Sequence, residues 1–447
     1  MQVLQQKIRE MHLTSFQVII LGFLCVIIFG SLLLMLPFAT VDGKGASLAD
    51  ASFTATSAVC VTGLVVQDTA TYWSAFGQAV ILVLIQIGGM GVVTVAVSVT
   101  ALSGRKISLM QRSTMQEAIA APHVGGIVQL TKFILRVTLM IELTGALILA
   151  PVFCRDFGLL KGIWYAIFHA ISAFCNAGFD LIGVREPFSS LTTYNTQPIV
   201  NLTIMALIII GGIGFLTWED IRHNKWNLKR YRMQSKVILT VTGILILFPA
   251  LYFFFFEFSD MPLGQRLWSS IFQAVTPRTA GFNSVDLTRL SEVGILLMIL
   301  LMLIGGSPGS TAGGMKTTTV AVLFATACSV FSRRDQSHFF GRRVPEDTVK
   351  NAATILLMYL TLFLAGGMII CAVEDIPLLT ALFETGSAIG TVGLTLGVTP
   401  SLGTLSHIIL MVLMFLGRVG GLTLVFAAVS ERRVTGMMYP QEKITVG

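Results

Sequence analysis

The 447-residue sequence has little charge: Asp, Glu, Lys and Arg together make up 12% of it, whereas 54% of its residues are hydrophobic. Its mean hydropathy is +0.81. Soluble globular domains carry about twice that fraction of charged residues, so this composition excludes that class. The net charge of +7 would favour binding to nucleic acid only if the basic residues lay in a soluble domain. No segment between the apolar runs is long enough to form such a domain. The sequence predicts an all-α polytopic membrane protein that binds no nucleic acid.

Residues that form metal centres, disulfide frameworks or catalytic sites are also scarce. The six cysteines include no CxxC pair, and the six histidines share no spacing. This pattern predicts no disulfide framework, no resident metal site and no cofactor. A membrane-embedded enzyme needs paired carboxylates or a His/Cys cluster at depth, and neither is visible, so the sequence does not indicate an enzyme. A secondary transporter coupled to Na⁺ or H⁺ would need acids at mid-membrane, where Glu142 is almost alone.

Hydrophobic runs are abundant. Eight of them reach the roughly 20 residues that a helix needs to cross a hydrocarbon core of about 30 Å: 14–36, 73–102, 127–153, 197–218, 235–257, 290–331, 351–373 and 404–429. Between the members of each pair lies a shorter apolar segment that ends in a glycine-bearing turn, at 48–63, 162–178, 265–281 and 378–393. These segments are too short to cross, which predicts re-entrant half-helices followed by extended loops.

The short segments repeat one another. Each contains a phenylalanine, a hydroxyl residue four positions later and a glycine near its end: Phe53, Ser57 and Gly63; Phe168, Ser172 and Gly178; Phe272, Thr276 and Gly281; Phe383, Ser387 and Gly393. Internal repetition indicates copies of one structural unit. The sequence therefore predicts four helix, re-entrant half-helix, helix repeats in a pseudo-fourfold arrangement around one pore, with eight transmembrane helices. The expected units are repeat A at 1–104, repeat B at 105–232, repeat C at 233–345, repeat D at 346–432 and a cytoplasmic tail at 433–447.

Basic residues predict the orientation of the chain, because Lys and Arg accumulate in cytoplasmic loops. With the N-terminus inside, 21 of the 30 Lys and Arg residues fall in cytoplasmic loops and tails, and seven fall on the opposite face. Both termini are then cytoplasmic, and all four half-helices enter from outside. Acidic residues including Asp68, Asp286 and Glu384 are expected to form a negative rim on the outer face, which concentrates cations.

The four half-helix turns carry the candidate functional residues. Non-helical backbone is tolerated at membrane depth only where it is buried in protein or lines a water-filled cavity. Four turns entering from one face would converge on a shared axis, where their carbonyl groups replace the hydration shell of a cation and glycine supplies the φ angles. Tight turns that merely close four hairpins are the alternative. The candidate filter residues are Val61, Thr62, Gly63, Asn176, Ala177, Gly178, Thr279, Ala280, Gly281, Thr391, Val392 and Gly393.

The second long run of repeat C is interrupted in its middle. Residues 305–314 include five glycines and a proline, which break a membrane helix unless the segment is buried in protein or lines a cavity. A kinked helix with close packing at the glycines is the alternative. The run Gly309–Gly314 approaches the phosphate-binding motif G-x-x-x-x-G-K-[ST]. Met315 separates it from Lys316 and no strand precedes it, so a nucleotide site is not indicated.

Arg418 is the only arginine in the middle of a predicted span, where the other three repeats have glycine. A charge there costs about 2.5–3.5 kcal/mol and usually faces a cavity or a partner. We expect it to point into the pore below the turns, near the 305–314 loop, as an electrostatic barrier or as an anchor for the loop's carbonyls; snorkelling is the alternative. Lys316, near a helix start, either snorkels or takes part in the same gate. Glu142 is interpreted as a packing or interfacial residue.

The fourfold repeat, the segment Thr276–Asn283 and the run Gly305–Thr317 together resemble the Trk/Ktr/HKT superfamily of potassium transporters over nearly the whole chain. The resemblance implies that Gly63, Gly178, Gly281 and Gly393 are the glycines of a selectivity filter, the only place where K⁺ binds. Serine at the first of these positions accompanies sodium selectivity in that superfamily, so Gly63 favours potassium; a Na⁺-permeable or Na⁺-coupled cation transporter is the alternative. The resemblance further implies an intramembrane gate formed by Gly305, Gly306, Gly309, Ser310, Thr311, Gly313, Gly314, Lys316 and Arg418.

With eight predicted spans and no extra N-terminal helix pair, the chain is most similar within that superfamily to the membrane subunits of bacterial Ktr uptake systems. This similarity implies gated K⁺ uptake across the bacterial plasma (inner) membrane, with K⁺ as the transported ion. It also implies a homodimer in membrane lipid, controlled by a cytoplasmic ring of nucleotide-binding (RCK/KtrA-like) regulatory subunits. The basic loops at 222–236 and 333–350 are the expected docking face for that ring.

Overall fold

The computed structural model describes residues 14–102, 107–119, 125–420 and 423. Sixteen α-helices lie in these ranges: α1 Ser15–Leu34, α2 Leu48–Cys60, α3 Ala75–Met90, α4 Val92–Leu102, α5 Leu109–Ile119, α6 Ile127–Phe157, α7 Leu159–Phe174, α8 Pro198–Gly212, α9 Phe215–Asn224, α10 Met233–Tyr252, α11 Leu263–Val275, α12 Glu292–Leu303, α13 Thr317–Phe331, α14 Glu346–Glu374, α15 Leu378–Gly390 and α16 Thr404–Val419. Two short strands, β1 His338–Phe339 and β2 Arg342–Arg343, form an antiparallel hairpin after α13.

Four helices, α1, α6, α10 and α14, are long and apolar enough to cross a membrane, and α10 continues through a π-helical turn to Glu257. Large apolar side chains on their surfaces stay exposed in the isolated chain, among them Leu139, Leu143 and Leu147 of α6. Such surfaces can contact lipid acyl chains, because a helix hydrogen-bonds its own backbone and presents only side chains to the bilayer. The predicted all-α membrane protein is confirmed.

Two of the expected straight spans are bent. α3 and α4 meet at 96°, and α8 and α9 meet at 97°. Gly91 (φ 87°) and Gly214 (φ 92°) lie at the bends, where the backbone conformation is one that residues with a side chain rarely adopt. The runs 73–102 and 197–218 are therefore not continuous helices. By length and composition the described residues contain four spans, or six if each bent pair counts as one, and the expected eight stays a prediction.

The sixth and eighth expected runs also differ from plain spans. Run 290–331 consists of α12 and α13, separated by a non-helical segment at 304–316. Run 404–429 is described only at residues 404–420 and 423. The tail at 433–447, the boundary between 104 and 105, and several of the basic residues used for orientation (Lys7, Arg9, Arg105, Lys106, Arg432, Arg433 and Lys443) lie outside the described residues. The repeat boundaries and the cytoplasmic position of the termini stay predictions.

The four half-helices α2, α7, α11 and α15 are 13 to 16 residues long. Their repeated phenylalanines, Phe53, Phe168, Phe272 and Phe383, are at most 1% exposed. Each half-helix packs against the long helix that precedes it in sequence. The phenylalanines therefore fix the half-helices inside the protein, where their short length leaves the following turn at depth.

The helices that follow the half-helices connect them in a cycle. α3 packs against α7, α8 against α11, α12 against α15, and α16 returns to pack against α2. Three of these helices also pack closely on the half-helix of their own repeat: a Cβ on Gly88, Gly211 or Gly417 would overlap the carbonyl oxygen of Val59, Phe174 or Ile389, respectively. This arrangement brings the four turns after the half-helices to one place.

Candidate functional site

The four turns have one backbone conformation. The residue two positions before each glycine is left-handed, with φ of 57° at Val61, 59° at Asn176, 66° at Thr279 and 51° at Thr391. The glycines also have positive φ, between 70° and 92°: Gly63, Gly178, Gly281 and Gly393. A side chain disfavours these angles. Glycine is therefore needed at the third residue of each turn, and the backbone of the first residue, which carries a side chain, is strained.

The turns form a closed ring in chain order. A Cβ on Gly63 would overlap the carbonyl oxygen of Ala177, and one on Gly178 would lie 2.8 Å from that of Ala280. A Cβ on Gly281 would overlap the carbonyl oxygen of Val392, and one on Gly393 would return to that of Thr62. Each turn therefore contacts the next through the same two backbone groups, and the fourth contacts the first. Separate hairpin turns, the alternative considered from sequence, would not meet in this way.

Eight carbonyl groups of the ring are buried without a partner. The first two residues of each turn are at most 1% exposed, and their carbonyl oxygens accept no hydrogen bond from the residues that the structure describes. Buried backbone carbonyls are nearly always paired, because leaving one without a partner in a dry environment costs free energy. A desolvated cation is the partner that such a ring of oxygens suits.

The repeated hydroxyl residues hold the turns in place. Ser57 and Ser387 accept a hydrogen bond from the N–H of Gly63 and Gly393, each at 3.0 Å. Ser172 donates instead to the carbonyl of Phe179, at 2.7 Å. Thr276 donates likewise to the carbonyl of Phe282. The sequence pattern shows these residues but not their use, since two of them bind the turn glycine and the other two bind the residue that follows it.

The segment 304–316 forms a closed loop beneath the ring. Its ends pair through Gly305 N–H and Met315 O, at 2.8 Å. Thr311 N–H donates to Gly211 O of α8 at 3.3 Å, and Gly314 N–H donates to Gly417 O of α16 at 3.2 Å. A Cβ on Gly313 would overlap Thr391 Oγ1 of the fourth turn. The segment is therefore a compact loop against the turns and not the kinked helix that the sequence left open.

Thr311 joins this loop to the second turn as well. Its hydroxyl donates to Phe174 O at 3.0 Å and lies 3.2 Å from Asn176 Oδ1. The Asn176 amide nitrogen in turn donates to Arg278 O at 3.1 Å in the third turn. Loop and ring are thus connected through side chains as well as backbone.

Arg418 and Lys316 both donate to carbonyl oxygens at this level. Arg418 Nη1 donates to Thr311 O, and Nη2 donates to Gly88 O and, at 3.0 Å, to Gly89 O. Lys316 Nζ donates to Ala312 O at 2.9 Å and Gly313 O at 3.2 Å. Arg418 and Lys316 also line a cavity of about 350 Å³ below the loop. Neither side chain snorkels, because both point at the loop.

The expected negative rim is wrong for two of its residues. Glu384 is 0% exposed and Asp68 is 8% exposed. Glu384 accepts from Thr395 Oγ1 at 2.6 Å and from Leu396 N–H at 3.0 Å. Asp68 accepts from Phe188 N–H at 3.0 Å. Both carboxylates fasten the loops that follow the turns, a use that their charge alone does not reveal.

Sequence reasoning missed Arg278. Its side chain is 4% exposed, and Nε and Nη1 have no hydrogen-bond partner among the described residues. Only its place between the half-helix and Thr279 could have singled it out.

Comparisons with known proteins cover almost the whole chain. The TrkH family, described as "Cation transport protein", matches residues 4–435. The Potassium/sodium uptake protein NtpJ of Enterococcus hirae is 39% identical, with 100% of each chain covered. The Ktr system potassium uptake protein B of Bacillus subtilis is 40% identical over 98% of each chain. The protein of the same name from Vibrio alginolyticus is 34% identical, over 96% of this chain and 94% of its own.

A solved structure is similar in fold. The crystal structure of the potassium transporter TrkH from Vibrio parahaemolyticus matches with a TM-score of 0.72 and 19% identity, over 94% of this chain and 86% of that chain. At this identity the likeness supports the fold alone.

Proposed function

Because the chain belongs to the TrkH family of cation transport proteins, we propose that it translocates K⁺ inward across a bacterial plasma membrane through a pore lined by its four turns. The resemblance expected from the sequence is confirmed by the family match and the full-length relatives. This family consists of ion transporters and not of enzymes.

The observation that carries the proposal is the ring of eight buried carbonyls without partners. In this proposal the carbonyl oxygens of Val61, Thr62 and their counterparts in the other three turns bind dehydrated K⁺, and the glycines allow the turns to approach one another. No other resident ion or cofactor is proposed. The eight predicted spans would then be four repeats around this single pore.

The driving force is the membrane potential. A potential of 100 mV is worth about 2.3 kcal/mol per elementary charge, and tenfold accumulation costs about 1.4 kcal/mol. Such a potential therefore holds K⁺ about 50-fold concentrated without ATP, and a gate keeps the ion inside when the potential falls. We propose the loop at 304–316, held by Arg418 and Lys316, as that gate.

Sodium is the second candidate for the transported ion. The relative from Enterococcus hirae carries both ions in its name, which favours a Na⁺-permeable or Na⁺-coupled transporter as the alternative. Glycine at position 63 supports potassium. Flux measurements with each ion decide between the two.

We also propose that the chain works as a homodimer with a nucleotide-binding regulatory ring. The support is the similarity to Ktr system proteins and the exposed basic hairpin of β1 and β2, with Arg342 and Arg343. Arg342→Glu with Arg343→Glu should abolish co-purification with a Ktr nucleotide-binding subunit, whereas Arg289→Glu on the opposite face should not. Unchanged co-purification of the double variant would exclude this docking face.

The filter is tested with Gly393→Ser and Gly63→Ser. Either side chain would meet a neighbouring carbonyl (Thr62 O or Ala177 O), so K⁺ over Na⁺ preference should fall in reconstituted vesicles and in cells lacking their own K⁺ uptake. Gly243→Ser is the matched control, since nothing lies within 4 Å of a Cβ there. Unchanged ion preference in both filter variants would exclude the filter assignment.

A further inference from the structure

Glu142 lies behind the second turn and has no role in the pathway described above. It is midway along the 31-residue α6 and is 4% exposed. None of the ion pairs among the described residues includes it. An ionisable side chain at this depth is expensive and is rarely kept without a use.

Two side chains face the Glu142 carboxyl group. Gln86 Nε2 of α3 donates to Glu142 Oε1 at 3.0 Å. The Cys175 thiol lies 3.9 Å from the same oxygen and 3.7 Å from Gln86 Oε1. Gln86 precedes the glycine pair of α3, and Cys175 immediately precedes Asn176 of the second turn. The three side chains therefore join α6 and α3 to the start of that turn.

The fit around Cys175 is tight on its other side too. A Cβ on Gly89 would lie 2.6 Å from Cys175 Sγ. Cys175 thus lies between the α3 backbone and the Glu142 and Gln86 side chains. A change in the shape or hydrogen bonding of the Glu142 side chain is therefore transmitted to Cys175 and to the backbone at Asn176, because packed interiors have little spare volume.

The hydrogen-bond donors around the Glu142 carboxyl group indicate whether it is ionised or neutral. Glu384 receives hydrogen bonds from two hydroxyls and one backbone N–H, three donors that compensate a negative charge better than one amide does. Glu142 has one amide donor and a distant thiol, and no cation is paired with it. A carboxylate so poorly compensated in a dry site costs far more than the neutral acid.

The geometry points to Glu142, in its neutral form, as a positioning residue that fixes the second turn through Gln86 and Cys175 and thereby sets the discrimination between K⁺ and Na⁺. The effect reaches the rest of the ring because Asn176 bonds to Arg278 O in the third turn and to Thr311 in the loop below. This inference rests on the proposed filter, since it concerns the precision with which one of the four turns is held.

The test compares Glu142→Gln, Glu142→Leu and Thr138→Val in vesicles containing the full chain. Glutamine keeps the shape and hydrogen-bonding capacity of the neutral acid, so the K⁺/Na⁺ flux ratio should equal that of the wild type. Leucine leaves Gln86 and Cys175 without their partner, and the loss of a buried hydrogen bond predicts a ratio lower by about tenfold. Thr138 lies one helical turn away, is 0% exposed and has an unpartnered hydroxyl, so valine there should leave the ratio unchanged.

The pH profile separates positioning from charge. If Glu142 is neutral throughout transport, the flux ratios of the wild type and Glu142→Gln follow the same curve from mildly acidic to mildly alkaline buffer. A pH dependence that disappears in Glu142→Gln would overturn the inference, since it would show an ionised carboxylate at work.

A second variant covers the case in which Glu142→Leu fails to fold. Gln86→Met removes the other half of the pair with little change of volume and should lower the ratio in the same direction. Gel filtration and thermal unfolding establish which variants are folded. A wild-type K⁺/Na⁺ flux ratio in folded Glu142→Leu or Gln86→Met overturns the inference if Gly393→Ser still changes that ratio. If Gly393→Ser also leaves the ratio unchanged, the proposed filter itself is wrong.

Discussion

Replacing Arg418 with alanine is the most informative single change, because this side chain joins three parts of the structure. Its Nη1 donates to Thr311 O in the loop beneath the turns, and its Nη2 donates to the α3 carbonyls of Gly88 and Gly89. Alanine removes all of these bonds and the charge. We expect the loop to leave its place more readily and cation flux to rise.

The hydrogen bond from Arg418 to Thr311 O determines how much the flux should rise. A hydrogen bond from a charged donor contributes about 1.5–3 kcal/mol. If the loop moves away from Arg418 when the pore opens, this contribution stabilises only the closed arrangement. Its removal then shifts the equilibrium towards the open arrangement by about 10- to 150-fold, and flux through a mostly closed pore rises by a similar factor. The bonds to Gly88 and Gly89 do not involve the loop and add less.

The assay is K⁺ flux through vesicles that contain purified wild-type protein, Arg418→Ala or Arg418→Lys. Lysine keeps the positive charge, but its single nitrogen cannot occupy the positions of both Nη1 and Nη2, so it cannot reproduce the bonds to Thr311 O and to the α3 carbonyls together. Raised flux in Arg418→Lys therefore assigns the effect to the bonds, whereas wild-type flux in Arg418→Lys with raised flux in Arg418→Ala assigns it to the charge. Flux at or below the wild-type level from folded Arg418→Ala would refute the reasoning.

Three further predictions concern the loop, the packing and the outer surface. Deleting residues 309–313 should raise vesicle flux more than Arg418→Ala does, because the loop then no longer fills the space below the ring; lower flux from folded protein would contradict this. Gly88→Ala should lower the thermal unfolding temperature, because the new Cβ overlaps Val59 O at a cost of about 1–3 kcal/mol. Gly243→Ala, with open space around the new Cβ, should not lower it. Equal unfolding temperatures for the two variants would exclude the tight contact at Gly88. The hydrogen bonds from Thr288 lower the pKa of Asp286 below its ordinary value of 3.8. Ionised Asp286 therefore stabilises the folded protein above pH 3.8, and this stabilisation is lost as the pH falls through the lowered pKa. Asp286→Asn should accordingly lower the unfolding temperature at neutral pH but not in strong acid, and the same difference at both pH values would contradict the assignment.

The positions of the turns could be predicted from the sequence because their cause is local. A half-helix of fixed length, a phenylalanine that anchors it and a glycine that permits positive φ recur four times. Each requirement falls within about ten residues of the others. The broken helix at 304–316 was predictable for the same reason, since consecutive glycines and a proline end a helix wherever they stand.

The bends in the second helices were not anticipated, although Gly91 and Gly214 were visible. An isolated glycine inside an apolar run is tolerated in many helices, so its presence does not decide between a straight span and a 96° bend. What decides at Gly214 is a distant group: Phe215 N–H donates to Gly309 O of the loop at 2.7 Å. The bond exists only once α8, α9 and the loop have come together.

The sequence by itself determined the membrane class, the four half-helices and the residues of the four turns, because composition and short-range pattern carry that information. Only the tertiary structure decided how these parts face one another. It arranges the turns in a closed ring in chain order, directs Arg418 to Thr311 O, and buries Asp68, Glu384 and Glu142 behind the turns. Apart from those of Glu384, whose partners lie 11 to 15 positions further on, these contacts join residues that are dozens to hundreds of positions apart. A side chain's charge or size does not identify a partner so distant in the chain. The four loops differ in sequence but share one backbone shape, and that shape rather than any side chain makes the ring of carbonyl groups.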